Sequence, residues 1–282
     1  MNFFDLHCDT AYECYFKNKN LGDENLGVSF KKISDFKNWS QTFAIWIKDD
    51  VKEPWSLYKN ILNNLKKEMV LKPDRLTPYY SVEGGALLEN DIDRLYELKK
   101  DEIKILTLTW NGENNIAGGV TGQKGLTEFG KKVIKEMNIL NLCCDVSHLN
   151  EKSFYGVIDT AKKVIATHSN CYEICENKRN LKLEQIKLLT EKGGVLGLNF
   201  YPLFLGENIF EKIYRNIFLL CDKGYEDFIA IGSDFDGAKM DKKLNGIDKI
   251  SSLYSFLEGK GLKKDLLNKI FYENANNFIA KL

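Results

Sequence analysis

Eight short apolar runs, separated by amphipathic stretches along the whole chain, constrain the fold more than any other feature of the sequence. They fall at residues 3–7, 42–47, 79–82, 103–109, 142–146, 163–167, 194–199 and 228–233. Most are near-continuous rather than alternating, the pattern of strands buried on both faces of a parallel sheet. Between them, apolar residues recur at helical spacing. Tyr58, Ile61, Leu62, Leu65 and Met69 form one stripe; Phe129, Val133, Ile134, Met137 and Leu140 form another. Asn150 is placed to cap a helix carrying Phe154, Val157 and Ile158, and Gly193 to end the next one. Eight strand–helix units in about 250 residues match the size of a (β/α)8 TIM barrel. A doubly wound open sheet is disfavoured, because His7-Cys8-Asp9 rather than a glycine-rich phosphate loop follows the first run. Neither a linker nor an internal repeat is visible, so residues 1–282 are expected to form a single domain.

Lysine plus arginine and aspartate plus glutamate each total 40, for a formal net charge of +0. That balance gives no electrostatic basis for binding nucleic acid or an anionic membrane. No apolar run approaches the ~20 residues of a membrane span. The opening residues Met1-Asn2-Phe3-Phe4-Asp5 lack a basic leader and an apolar core. Seven cysteines, an odd number at scattered positions, fit reduced thiols and a cytoplasmic location. Cys171 and Cys175 are four apart, one face of a helix. With no companion ligands at zinc-finger spacing, they are expected to pack in the core.

The three histidines of the chain each lie at or just beyond the C-terminal end of a predicted strand, where barrel active sites are built. His7 and Asp9 close the first strand; in extended backbone residues i and i+2 share a face, so both can converge on one ion while Cys8 points away. Glu83 ends the third strand before Gly84-Gly85, His148 follows the fifth and His168 the sixth. Asp234 and Asp236 follow the eighth. Each alone also reads as a turn, cap or solvent-exposed residue. Their coincidence points to metal: in a closed parallel barrel these ends surround one crater, and charged side chains aimed into it need partners.

The segments Asp5-Leu6-His7-Cys8-Asp9-Thr10, Ser81-Val82-Glu83-Gly84-Gly85, Leu106-Thr107-Leu108-Thr109, Gly125-Leu126-Thr127-Glu128-Phe129-Gly130, Asp145-Val146-Ser147-His148, Thr167-His168-Ser169, Lys178-Arg179-Asn180 and Gly232-Ser233-Asp234-Phe235-Asp236-Gly237 occur in that order. In these the chain resembles the membrane (renal) dipeptidases, the zinc dipeptidases of peptidase family M19. The resemblance implies a barrel of the metal-dependent hydrolase type with two Zn2+ ions per chain. His7 and Asp9 would bind one, His148 and His168 the other, and Glu83 would bridge them. Asp234 matches the family's active-site aspartate, and Arg179 the arginine whose guanidinium fork holds the substrate carboxylate.

One position departs from the family. Its mammalian members carry a histidine after Leu-Thr-Leu-Thr that contacts the developing oxyanion; here Trp110 follows, then Asn111. An indole donates only through its N–H and cannot become cationic. Oxyanion stabilisation then falls to the metals, to Asn111 or to another group. The resemblance implies hydrolysis of a small peptide, a dipeptide above all, by a hydroxide held between the two metals. Asp234 would carry the proton to the leaving amine. By analogy with the family the chain would form a homodimer. Trp110 keeps a second substrate class open, another small amide, an N-acyl amino acid or a lactone. A metal-holding binding protein without turnover is the reading from a different class, and the intact ligand set argues against it.

Overall fold

The computed structural model describes residues 1–32 and 35–282. Its strands are β1 (Asn2–Cys8), β2 (Asn38–Trp46), β3 (Leu76–Glu83), β4 (Ile103–Thr107), β5 (Cys143–Asp145), β6 (Val164–Ser169), β7 (Leu196–Leu198) and β8 (Ile229–Ile231). They pair in parallel in chain order and β1 closes on β8, forming the expected eight-stranded barrel. Every apolar run became a strand, with shifted ends. β2 begins at Asn38 rather than 42, because Asn38, Ser40 and Gln41 extend it with polar residues that the neighbouring strands pair. β5, β7 and β8 shrink to three residues each.

The predicted stripes lie on the helices Pro54–Glu68, Glu128–Leu140, Glu151–Thr160, Leu183–Glu191 and Ile209–Asp222, which cover the barrel. Asn150 caps its helix as expected, its side chain accepting from the Ser153 N–H at 2.9 Å. Gly193, at φ +70°, follows the helix ending at Glu191. Among the described residues no helix is long and apolar enough to cross a membrane. One expectation fails: residues 171–178 form turns, not a helix. The chain doubles back so that Cys171 bridges to Leu181 and is buried, while Cys175 is only half-buried.

Two apolar clusters separate the inside of the barrel from its jacket. Phe4, Leu6, Ile105, Cys143, Ile165 and Ala230 come from strands around the ring and fill its interior; Phe278 and Ile279 of the last helix join them. Their alternate neighbours, such as Phe3, Cys144, Ala166 and Ile231, pack outward under the helices.

Strict alternation after Leu6 would send His7 outward too. Between Asp5 and Cys8, however, two residues of β1 oppose one of β2, Gln41 facing Asp5 and Phe43 facing Cys8. The same irregularity lies between Ala166 and Ser169 of β6, which face Leu196 and Leu198 of β7. A bulge adds one residue and re-aims the side chains around it. His7 and His168, one on each bulge, turn into the crater with ring centroids 3.8 Å apart.

Candidate metal centre

The strand ends bring all five expected donors together. Glu83, ending β3, lies among the three histidines. Its Oε2 is 3.4 Å from His7 Nε2; its Oε1 is 2.7 Å from His148 Nε2 and 3.8 Å from His168 Nε2. Asp9 Oδ2 is 3.4 Å and Asp234 Oδ1 4.0 Å from the same His7 nitrogen. Three overlapping triads result, His7/Asp9/Glu83, Glu83/His148/His168 and His7/His168/Asp234, the donor atoms of each within 4.8 Å of one another. All six side chains are nearly or fully buried. His148 and Asp234 sit at φ +69° and +64°, a left-handed backbone that non-glycine residues adopt at a cost and that clusters at functional sites.

Partners behind the rings fix two tautomers. The His148 Nδ1–H donates to Asn111 Oδ1 at 2.9 Å. Thr167 Oγ1 lies 2.8 Å from His168 Nδ1 and 2.6 Å from Asp145 Oδ2. The hydroxyl gives its proton to the carboxylate and accepts from the imidazole N–H. Thr107 donates to the same aspartate oxygen, while the Ser147 and Thr167 backbone N–H groups donate to the other. In neutral rings both Nε2 atoms then present lone pairs, 2.9 Å from each other. Two lone pairs cannot bond to each other; a cation between them satisfies both.

The remaining geometry fits the same conclusion. Both nitrogens of His7 are buried without a hydrogen-bond partner. Two ligands about 2.1 Å from a shared ion at a tetrahedral angle stand roughly 3.4 Å apart, the spacing of His7 from Asp9 and from Glu83. Electrostatics agree. Burial, joined by the Glu83 charge, pushes Asp9 up to about 8. Burial opposes charge on the His7 ring, yet Asp9 and Glu83 raise its pKa well above the usual value. Burial lowers His148 and His168, with Arg179 adding to the first and His7 to the second. Clustered carboxylates in so dry a site lack compensating positive charge, which divalent cations supply.

A family model described as membrane dipeptidase (peptidase family M19) matches residues 61–281. The chain belongs to that family. An uncharacterized Klebsiella pneumoniae protein in the pqqA 5′ region is 34% identical over 209 residues, 68% of this chain and 77% of that protein. An uncharacterized dipeptidase of Schizosaccharomyces pombe is 29% identical over 183 residues, 60% of this chain and 43% of that longer protein. Among solved structures, dipeptidase AC, a metallo peptidase of family M19, superposes with a TM-score of 0.92 at 22% identity, covering 100% of this chain and 98% of the other. A Rhodobacter sphaeroides metallo peptidase liganded with a phosphinate mimic of L-Ala-D-Ala gives 0.89 at 22% identity, covering 100% and 99%. The match to the family model begins after β2; His7 and Asp9 precede it and reach the other candidate donors because β1 closes the barrel.

Around these candidate donors opens a cavity of about 340 Å3, lined in part by Trp110, Asn111, Tyr201, Phe204 and Asp234. Trp110 lies edge-on to Trp46 at 5.0 Å between centroids. Asn111 contacts the cavity, but its side-chain oxygen is engaged by His148. It therefore orients a candidate ligand. Asp234 Oδ2 accepts from Asn199 Nδ2 at 2.9 Å, which leaves Oδ1 toward His7. Burial raises the Asp234 pKa. Arg179 is buried behind the cavity wall, its guanidinium 5.2 Å from the Phe204 ring and its Nε unpartnered. One terminal nitrogen donates to the His168 carbonyl at 3.4 Å. Sequence reasoning missed Asn199, Asp145 and Thr167. Their position on β-strands or strand ends was visible, but only the pairing of distant strands shows which atoms they hold.

Proposed function

We propose that this M19 protein is a binuclear zinc dipeptidase. The carrying observation is the placement of Glu83, whose two oxygens face separate donor groups, His7 with Asp9 on one side and His148 with His168 on the other. Imidazole and carboxylate donors suit zinc. Two such cations, when bound, supply Lewis acidity and lower the pKa of a water to roughly 7.

This chain's own residues then divide the remaining work. Asp234, with one oxygen held by Asn199 and its pKa raised by burial, accepts a proton at Oδ1 and delivers it to the leaving amine. Arg179, with its Nε buried and unpartnered beside Phe204, anchors the C-terminal carboxylate and so selects short substrates. Asn111 and the Thr167–Asp145 pair keep His148 and His168 in the tautomer that presents Nε2. The narrow buried floor excludes bulk water and strengthens each of these interactions. A cytoplasmic location fits the seven unpaired cysteines, five of them buried.

The test is a dipeptide panel, L,D pairs included, on the full chain with metal content measured beside it. Hydrolysis that is lost to chelator and restored by zinc is the expected result. Turnover that survives complete removal of metal contradicts the proposal; chelator-sensitive turnover confined to N-acyl amino acids or lactones contradicts its substrate.

A further inference from the structure

The cavity over the metal donors has two aromatic walls of different construction. On one, Trp110 meets Trp46 at 5.0 Å between centroids, Trp46 meets Tyr12 at 5.1 Å and Tyr12 meets Phe16 at 4.5 Å. These rings run from half-buried Trp110 out to exposed Phe16. On the other wall Tyr201 and Phe204 lie 4.9 Å apart, with Arg179 behind Phe204. The lining also includes the carboxylates of Glu13 and Asp236, and among the described residues that line it there is neither lysine nor arginine.

The walls assign the two ends of a substrate. With its C-terminal carboxylate held at Arg179, a dipeptide crosses the metal donors toward the opposite wall, and its N-terminal side chain meets Tyr12, Trp46 and Trp110. We propose that these three residues form the pocket for that side chain, which favours aromatic and large apolar groups and turns away acidic ones. The inference rests on the dipeptidase reading above.

The chemistry of the wall sets both preferences. Edge-to-face rings offer apolar area with further ring positions open to a substrate phenyl group. Burying a side chain of that size gains on the order of tenfold to a hundredfold in binding over glycine. An acidic side chain would give up its hydration against these rings with no cation on the lining to meet it. A basic one gains little, because both carboxylates are already engaged. Glu13 pairs with Lys17 at 2.7 Å and Lys19 at 3.1 Å. Asp236 accepts from the Thr10 hydroxyl and from the Gly27 and Val28 backbone N–H groups.

The test compares kcat/KM of the zinc-loaded full chain for Phe-Ala, Leu-Ala, Gly-Ala and Asp-Ala. Phe-Ala and Leu-Ala should exceed Gly-Ala about tenfold or more, with Asp-Ala lowest. Trp110→Ala and Tyr12→Ala, each checked for metal content and circular dichroism, should lower the Phe-Ala to Gly-Ala ratio about tenfold. If the wild type does not discriminate, or both aromatic variants leave the ratio unchanged, the pocket assignment is wrong while the dipeptidase reading stands. If no dipeptide is hydrolysed, both fall together.

Discussion

The two sides of the Glu83 carboxylate are built differently. On one side His148 and His168 each have Nδ1 engaged, by Asn111 and by the Thr167–Asp145 pair, so their Nε2 atoms are aimed before any ion arrives. On the other side nothing bonds His7 Nδ1, its Nε2 faces Asp9 and Glu83 at 3.4 Å, and the ring is located by its bulge on β1 and its stacking on His168. Asp9 Oδ2 stands there with the backbone of Gly237 so close that a Cβ would lie 2.1 Å away. A preorganised half and a half ordered by packing alone should hold their ions with different tenacity, the first more tightly.

Substitutions can break this contrast, and the largest effect belongs to the chemistry both halves serve. Asp234→Asn should lower kcat by roughly 10²–10⁴ while both ions stay bound, since only the proton carrier is lost. Elemental analysis beside single-turnover kinetics checks both parts. Gly237→Ala should act on the His7 half, because the new methyl displaces Asp9 Oδ2 and reaches 2.7 Å from Asp234 Oδ1. A loss on the order of a hundredfold in the weaker of two metal affinities is expected, read by competition with a chromophoric chelator. Thr167→Val should act on the other half, weakening the tighter ion about tenfold by freeing the His168 ring to flip. Equal effects of these two variants on both ions would end the distinction.

Acid should separate the halves more gently. A proton competes with metal for each Nε2, so the less tightly held ion is displaced at higher pH. As pH falls from neutrality, the ion on the His7 side should leave first and the other at lower pH. Metal content after dialysis across pH 7.5 to 5 should therefore fall in two steps; a single step would show that the sides are equivalent.

Much of this was legible in the sequence, and what was hidden has definite causes. Apolar runs marked all eight strands because a barrel strand is buried on both faces. Their ends were blurred where polar residues such as Asn38, Ser40 and Gln41 pair within β2. His7, Asp9, Glu83, His148, His168 and Asp234 stood out as the polar residues at strand ends. Period-two reasoning put His7 and Asp9 on one face and Cys8 on the other. It could not reveal the bulges that turn His7 and His168 inward after Leu6 and Ile165, since a bulge is a relation between two strands. For the same reason the contact of the Asn111 oxygen with His148 was hidden, and the aromatic wall from Phe16 to Trp110 went unseen because its rings come from three separate segments.

The central claim is that one carboxylate, Glu83, is shared by two ions. Titrating the metal-free full chain with zinc, for the wild type and for Glu83→Gln, tests it most directly. The account predicts two zinc per wild-type chain and a marked weakening of both ions in Glu83→Gln, with circular dichroism unchanged. Two tightly bound zinc ions per chain in Glu83→Gln would contradict it.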